Sequence, residues 1–141
     1  MQIFNYLSVK LIAWLFVAMF VFLVGMNYMP FLYAENGKLF GSFRLEPIGN
    51  WLHVLSGIWA FLAVLHSRAA CLFYFRFFGT AYFIDGIVGV ATGTAYLNLR
   101  FFDPNAVPVA EMGTRLLLNA PHLIIGGAAM IVGFVLYKRI K

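Results

Sequence analysis

Two short stretches and one acid carry nearly all the side chains in this sequence that could do chemistry. Asn50-Trp-Leu-His53-Val-Leu-Ser-Gly57 and Asn119-Ala-Pro-His122-Leu-Ile-Ile-Gly126 share the pattern Asn-x-x-His-x-x-x-Gly, sixty-nine residues apart, and each opens a long apolar run. The acid, Asp85, lies inside a third such run. A neutral imidazole is a common ligand of metals and haem. If the two runs cross a membrane in the same direction, both histidines lie at similar depth, which makes His53 and His122 candidate ligands of a haem b. The glycines four residues on, Gly57 and Gly126, share the histidine face of each helix and would admit a porphyrin edge.

The competing reading is structural. Asparagine is among the best helix N-caps, so Asn50 and Asn119 are expected to start their helices. Pro121 suits a first turn, where its missing N–H costs little. A histidine three residues after the cap can then bond the cap residue or an exposed backbone group. Cap chemistry accounts for the spacing without a cofactor, so none is expected, with haem b as the alternative. Two histidines without a third ligand or a nearby carboxylate make an incomplete zinc site, and no metal is expected either.

An intramembrane carboxylate is costly and functional by default, with an apparent insertion cost of about 2.5–3.5 kcal/mol at mid-helix. In a span beginning near Phe77, Asp85 lies roughly 13 Å deep at 1.5 Å per residue. There it is expected to be neutral or hydrogen-bonded and to contact another helix or a partner. Ser56 and Trp59 are its nearest expected donors, and no cation falls at its level. Conventional catalysis finds no support: the chain has no Gly-x-Ser-x-Gly, phosphate loop, paired carboxylates or Cys/His couple. A nucleophile needs an adjacent base, so the chain is not expected to be an enzyme.

The elements that must position these residues follow from composition. The 141 residues are 63% hydrophobic and 11% charged, with a mean hydropathy of +0.88. A soluble domain carries about 25% charged residues, so this is the composition of an integral membrane protein. A hydrocarbon core of about 30 Å needs about 20 apolar residues per helix. The chain, read as a single domain over 1–141, has four such spans, at about 11–33, 48–65, 77–99 and 116–137. Charged, turn-rich loops occupy 34–49 and 100–115. Ser67–Arg76 reads as a tight connection whose Phe73, Tyr74 and Phe75 suit the headgroup layer. Gly79, Gly86, Gly89 and Gly93 on span three, with Gly126, Gly127 and Gly133 on span four, form faces for close helix packing.

The run Leu11–Tyr33 exceeds the about 7–15 residues of a signal h-region and ends without a small-residue cleavage pattern, so it is read as a span. Cys71, the single cysteine, excludes an internal disulfide. A net charge of +5 could suggest nucleic acid, but its distribution indicates membrane orientation instead. Lys10, Arg68, Arg76, Lys138, Arg139 and Lys141 fall on one side without an acid. Lys38, Arg44, Arg100 and Arg115 on the other are offset by Glu35, Glu46, Asp103 and Glu111. The positive-inside rule then puts both termini on the cytoplasmic face of the cell (inner) membrane.

Upstream of the two motifs, Gly25-Met-Asn-Tyr28 matches Gly93-Thr-Ala-Tyr96 at nearly the same distance. Such self-similarity is the mark of an internal repeat. The expected fold is all-α, a four-helix membrane bundle of two tandem hairpins, with repeats at about 11–66 and 77–137. This arrangement resembles the DUF4383 group of small bacterial membrane proteins. The matching stretches are Asn50 to Leu65, Asn119 to Leu136, and the Arg68-Ala-Ala-Cys-Leu-Phe-Tyr-Phe-Arg-Phe-Phe-Gly79 connection. The resemblance implies a fold over nearly the whole chain and carries over no functional residue. The expected function is a non-catalytic accessory, assembly or interaction subunit of a membrane complex. Its expected partners are the lipid bilayer and other membrane subunits or a second copy. The alternatives are a haem b electron carrier using His53 and His122, or an oligomeric small transporter or channel.

Overall fold

The computed structural model describes residues 2–44 and 46–136. Expectations placed on Tyr137, Lys138, Arg139 and Lys141 therefore lie outside the described residues. Four helices run α1 (Gln2–Gly25), α2 (Pro47–His66), α3 (Arg68–Thr92) and α4 (Met112–Met130), and α4 continues as a π-helical turn, Ile131–Leu136. Each of the four is long and apolar enough to cross a membrane. Among the described residues there is no strand, only isolated bridges joining Tyr33, Leu39 and Phe43 in the first loop.

The helix ends fall in places that the apolar runs do not mark. Ser67 alone separates α2 from α3: its backbone is extended, with φ at −168°, and its Oγ accepts the N–H of Ala70 at 3.1 Å. One serine that caps its own helix makes a longer connection unnecessary. The expected connection over 67–76 is instead the first turns of α3, where Tyr74 and Phe75 are fully buried and, of the three aromatics, Phe73 alone is exposed. At its other end α3 stops at Thr92 rather than Leu99, because Gly93 takes a left-handed conformation with φ at +80°. Glycine is the usual residue at such a C-cap. A Cβ there would also sit 2.6 Å from the Val109 carbonyl oxygen.

Asn50 and Asn119 do not cap their helices. α2 begins with Pro47 after Glu46, and α4 with Met112 after Glu111, so both asparagines lie inside. A proline in the first turn is pre-set for a helix start. The Glu111 carboxylate accepts the N–H groups of Gly113 at 2.9 Å and Thr114 at 2.7 Å, and also the Thr114 hydroxyl. A negative charge at a helix N-terminus is favourable in addition.

α1 packs on α2, α4 packs on α3, and α3 is the central element: half of its most apolar window is buried, against 22% in each of the others. One side of α3 is aromatic. Tyr74 and Phe78 stack with centroids 5.0 Å apart, Tyr82 follows Phe78 at 4.1 Å, and Phe16 of α1 sets its edge on Phe75 at 5.1 Å. Such pairs add about 0.5–1.5 kcal/mol each beyond area burial. The other side of α3 is smooth. A Cβ on Gly126 would lie 2.5 Å from the backbone nitrogen of Phe83, and one on Gly79 2.7 Å from that of Met130. The glycine faces are spent on close helix contact, as membrane helices use them. Arg76 completes this seam by donating its Nε–H to the Gly133 carbonyl at 2.8 Å, inside the π-helical turn.

Candidate functional site

Asp85 is fully buried, seven residues before the end of α3. Its Oδ1 accepts the backbone N–H groups of Tyr96 and Leu97, both at 2.7 Å, and its Oδ2 lies 2.6 Å from His122 Nδ1. After Gly93 the chain folds back along α3 to reach it, and Tyr96 secures the fold by donating its hydroxyl to the Ala81 carbonyl at 2.5 Å. Loop amides carried into a bundle would otherwise be orphaned donors, and the carboxylate satisfies both. Burial, and then the Asp85 charge, raise the Tyr96 hydroxyl above its ordinary pKa.

The expectation that Asp85 is hydrogen-bonded agrees with this geometry, but the expected donors are wrong. Ser56 instead meets the Tyr82 hydroxyl at 3.0 Å, and Trp59 packs its ring on Phe73 and Tyr74. The partner is His122, which the reading of the sequence did not place beside it. The error lies in helix ends. Because α3 runs from Arg68 to Thr92, Asp85 belongs to the half near the 93–111 loop; because α4 starts at Met112, His122 lies about three turns inside it.

The surroundings of the pair are built from residues that no motif marks. Arg115 donates Nε–H to the Val109 carbonyl at 2.5 Å and an Nη1 hydrogen to that of Ala91 at 3.0 Å, which covers the open C-terminal end of α3. Asn119 donates to the Arg115 carbonyl at 2.8 Å and lies flat on Gly89, whose missing Cβ would fall 2.0 Å from the Asn119 Oδ1. Only glycine leaves room for that side chain. The Tyr82 ring rests against His122 with centroids 4.9 Å apart, so the pair is linked through Tyr82 to Ser56 on α2.

The first motif is built differently. Asn50 accepts a hydrogen bond from Asn27 at 2.7 Å, which ties α2 to the 3-10 turn after α1. The Nδ1 of His53 is buried without a hydrogen-bond partner among the described residues. A buried unsatisfied group of this kind costs about 1–3 kcal/mol. The imidazole lines an apolar groove of about 500 Å³ between α1 and α2, together with Trp14, Phe20, Val21, Gly57 and Phe61.

The structure therefore brings Asp85 and His122 together with Asn119 beside them, and leaves Asn50 and His53 on the other hairpin. A carboxylate behind one ring nitrogen is the arrangement that orients a ligating histidine. The groove lined by His53 does not include His122. At Gly126 the backbone of Phe83 stands where a porphyrin edge would go, and at Gly57 the Phe20 Cβ is 3.0 Å from the Cβ position. No protein-family model matches the chain, and no curated protein or solved structure does.

Proposed function

We propose that this chain is a non-catalytic accessory or assembly subunit of a membrane complex, held in the bilayer with both termini on the cytoplasmic face. The observation that carries this reading is the use of Asp85. Both of its oxygens are engaged, one by two loop amides and the other by His122. The acid that would be the natural candidate for proton transfer thus fastens a loop and two helices into one body. The opposite side of the molecule supplies the contact surface. α1 and α2 turn Trp14, Trp51, Leu55 and Leu62 outward, where a neighbouring membrane subunit or a second copy would sit among the lipids.

A photoreactive residue tests this at Leu15 or Leu62 on the exposed face of α1 and α2, with Ile84 and Ile124 on α3 and α4 for comparison. Discrete adducts in native membranes are expected from the first pair of positions. Absence of adducts at all four, with a monomer in mild detergent, would contradict the subunit role. A reduced-minus-oxidised spectrum with a b-type band, abolished by His53→Ala and by His122→Ala, would replace it with electron transfer. An impermeant thiol reagent reads the orientation: Asn36→Cys in a Cys71→Ser background should label from outside intact cells.

A further inference from the structure

We infer that Arg76 is the phosphate-binding residue of a phospholipid site at the α3–α4 seam, in the leaflet nearer the N-terminal end of α3, and that the site takes a lipid whose headgroup carries net negative charge. The inference rests on the four helices crossing a bilayer and is independent of the subunit role, which its test leaves untouched.

Arg76 lies deeper than a surface cation. α3 has 25 residues, a length of roughly 37 Å at 1.5 Å per residue, against a hydrocarbon core of about 30 Å. In a core centred on the helix, Arg76 falls roughly 8 Å inside the apolar layer. An ionisable side chain at such depth is costly, and it calls for a named partner.

The surrounding residues aim it. A Cβ on Gly133 would lie 2.8 Å from the Arg76 Cγ and 3.0 Å from its backbone nitrogen, so a glycine there lets the arginine stem cross α4. The Gly133 carbonyl, inside the π-helical turn, accepts the Nε hydrogen at 2.8 Å. The guanidinium carbon then stands 5.7 Å from the ring centroid of Phe134, which is 44% exposed. Side chains of a helix lean toward its N-terminus, so the stem leads toward the nearer membrane surface, as in an arginine that snorkels. The stem and Nε are thus held in place. Both Nη groups are left unsealed and without an acceptor among the described residues.

The chemistry of the guanidinium selects the ligand. Its donors form a planar fork that matches a phosphate, and the near leaflet supplies phosphates at the surface toward which the stem leads. A carboxylate of this chain does not serve. Glu35, Glu46, Asp103 and Glu111 lie at the other end of the helices, and Asp85 is taken by His122 and two loop amides. The same distribution of acids decides the headgroup. The ammonium of a zwitterionic lipid would find no carboxylate beside it, whereas Lys10 and Arg68 on the same side attract net negative charge.

The test is native mass spectrometry of the full chain, delipidated in mild detergent and titrated with phosphatidylglycerol or with phosphatidylcholine of the same acyl chains. The first phosphatidylglycerol is expected to bind more tightly than the first phosphatidylcholine. Arg76→Gln should weaken it about tenfold, as the loss of one charge-assisted contact does. Gly133→Ala should weaken it too, because it displaces the stem and leaves every charge in place. Lys10→Gln, which removes the same charge elsewhere on that side, should change the first affinity by no more than about twofold. Equal phosphatidylglycerol affinity in the parent chain and Arg76→Gln would overturn the assignment. Equal losses in Arg76→Gln and Lys10→Gln would also overturn it, by reducing the site to a diffuse positive surface. Should Arg76→Gln fail to fold, a photoreactive phenylalanine analogue at position 134 decides in the otherwise unchanged chain. In nanodiscs holding equal amounts of the two lipids, phosphatidylglycerol adducts should exceed phosphatidylcholine adducts, and equal yields overturn the assignment. Discrete protein adducts from that position in native membranes would overturn it as well, and would give Arg76 to a partner's carboxylate.

Discussion

The two helices α2 and α4 carry the same Asn-x-x-His-x-x-x-Gly motif and use it in opposite ways. On α4, His122 meets a carboxylate at 2.6 Å, its asparagine lies on a glycine, and Gly126 lets α3 approach at backbone distance. On α2, His53 has an unpartnered Nδ1, its asparagine reaches a loop, and Gly57 faces the side chain of Phe20. The motif does not decide between lock and open groove. The facing helix decides: α3 offers Asp85, Gly86 and Gly89 to α4, whereas α1 offers Phe16, Val17 and Phe20 to its neighbours. The matching upstream glycines diverge as well, Gly25 continuing in a right-handed conformation at φ −60° and Gly93 turning left-handed at +80°.

If the second hairpin is the lock, Asp85→Leu should have the largest effect of any single change. Leaving a buried donor or acceptor unsatisfied costs about 1–3 kcal/mol, and Asp85→Leu strips the partner from two loop amides and from His122 Nδ1 at once. Thermal unfolding in detergent should show a large loss, with Asp85→Asn milder because it keeps an acceptor for the amides. A melting point for Asp85→Leu equal to that of the parent chain would break the comparison outright.

The coupling between sites sharpens it. His122→Leu and Asp85→Asn should be non-additive by about 0.5–3 kcal/mol, as contacting residues are. His53→Leu combined with Asp85→Asn should add, and alone it should be neutral or slightly stabilising because it removes an unsatisfied nitrogen. A double-mutant cycle read by unfolding in detergent measures both, and a coupled His53 would join the two hairpins into a single site.

Glycine substitutions separate the hairpins by packing alone. Gly126→Ala puts a methyl group against the Phe83 backbone, which cannot yield easily, and overpacking costs about 1–3 kcal/mol. Gly57→Ala meets only the Phe20 side chain, and Gly25→Ala meets nothing within 4 Å. Gly57→Ala should therefore cost less than Gly126→Ala, and Gly25→Ala should stay within about 0.5 kcal/mol, as surface changes do. Equal losses in melting temperature for all three would deny the difference in packing.

The smallest effect belongs to the exposed start of α4. Hydrogen bonds from Thr114 lower the Glu111 carboxyl below its ordinary value of 4.5. A depressed folded-state pKa contributes stability that is present above the unfolded value and lost as pH falls through the folded one. Relative to the intrinsic rate at each pH, amide exchange at Gly113 and Thr114 should therefore accelerate as pH falls below the ordinary 4.5 in the parent chain, while Glu111→Gln, which removes the titrating carboxyl, should show no such dependence. Acceleration of equal size in Glu111→Gln would deny the cap its charge.

The sites were legible in part because polar side chains in apolar surroundings are few. Asn50, His53, Asp85, Asn119 and His122 all stand out, and each occupies a structured place. Their pairing was not legible, since depth was counted from the ends of apolar runs. Thr92-Gly93 carried the signal that was passed over, a glycine C-cap followed by Thr94, Tyr96 and Asn98, which read better as a returning loop than as the last turns of a span. Ser67 carried the other, a single serine sufficient to end one helix and cap the next. Neither Tyr96 nor Leu97 could have been named, because they contribute backbone N–H groups that every residue but proline possesses.

Composition and run length by themselves determined that the chain is helical and has four segments able to cross a membrane, because water-to-hydrocarbon transfer depends on residue type and length alone. They also determined that close-packed glycine faces would exist. Only the tertiary structure decided which helix those faces meet, that Asp85 would hold a loop and His122 together, and that His53 would be left beside an open groove. Hydrophobic burial is non-directional, so it collects helices without choosing their register, whereas a hydrogen bond weakens steeply once distance or angle is wrong. The register that lets Asp85 reach two amides and an imidazole at once is a property of three segments together, and no single stretch of sequence contains it.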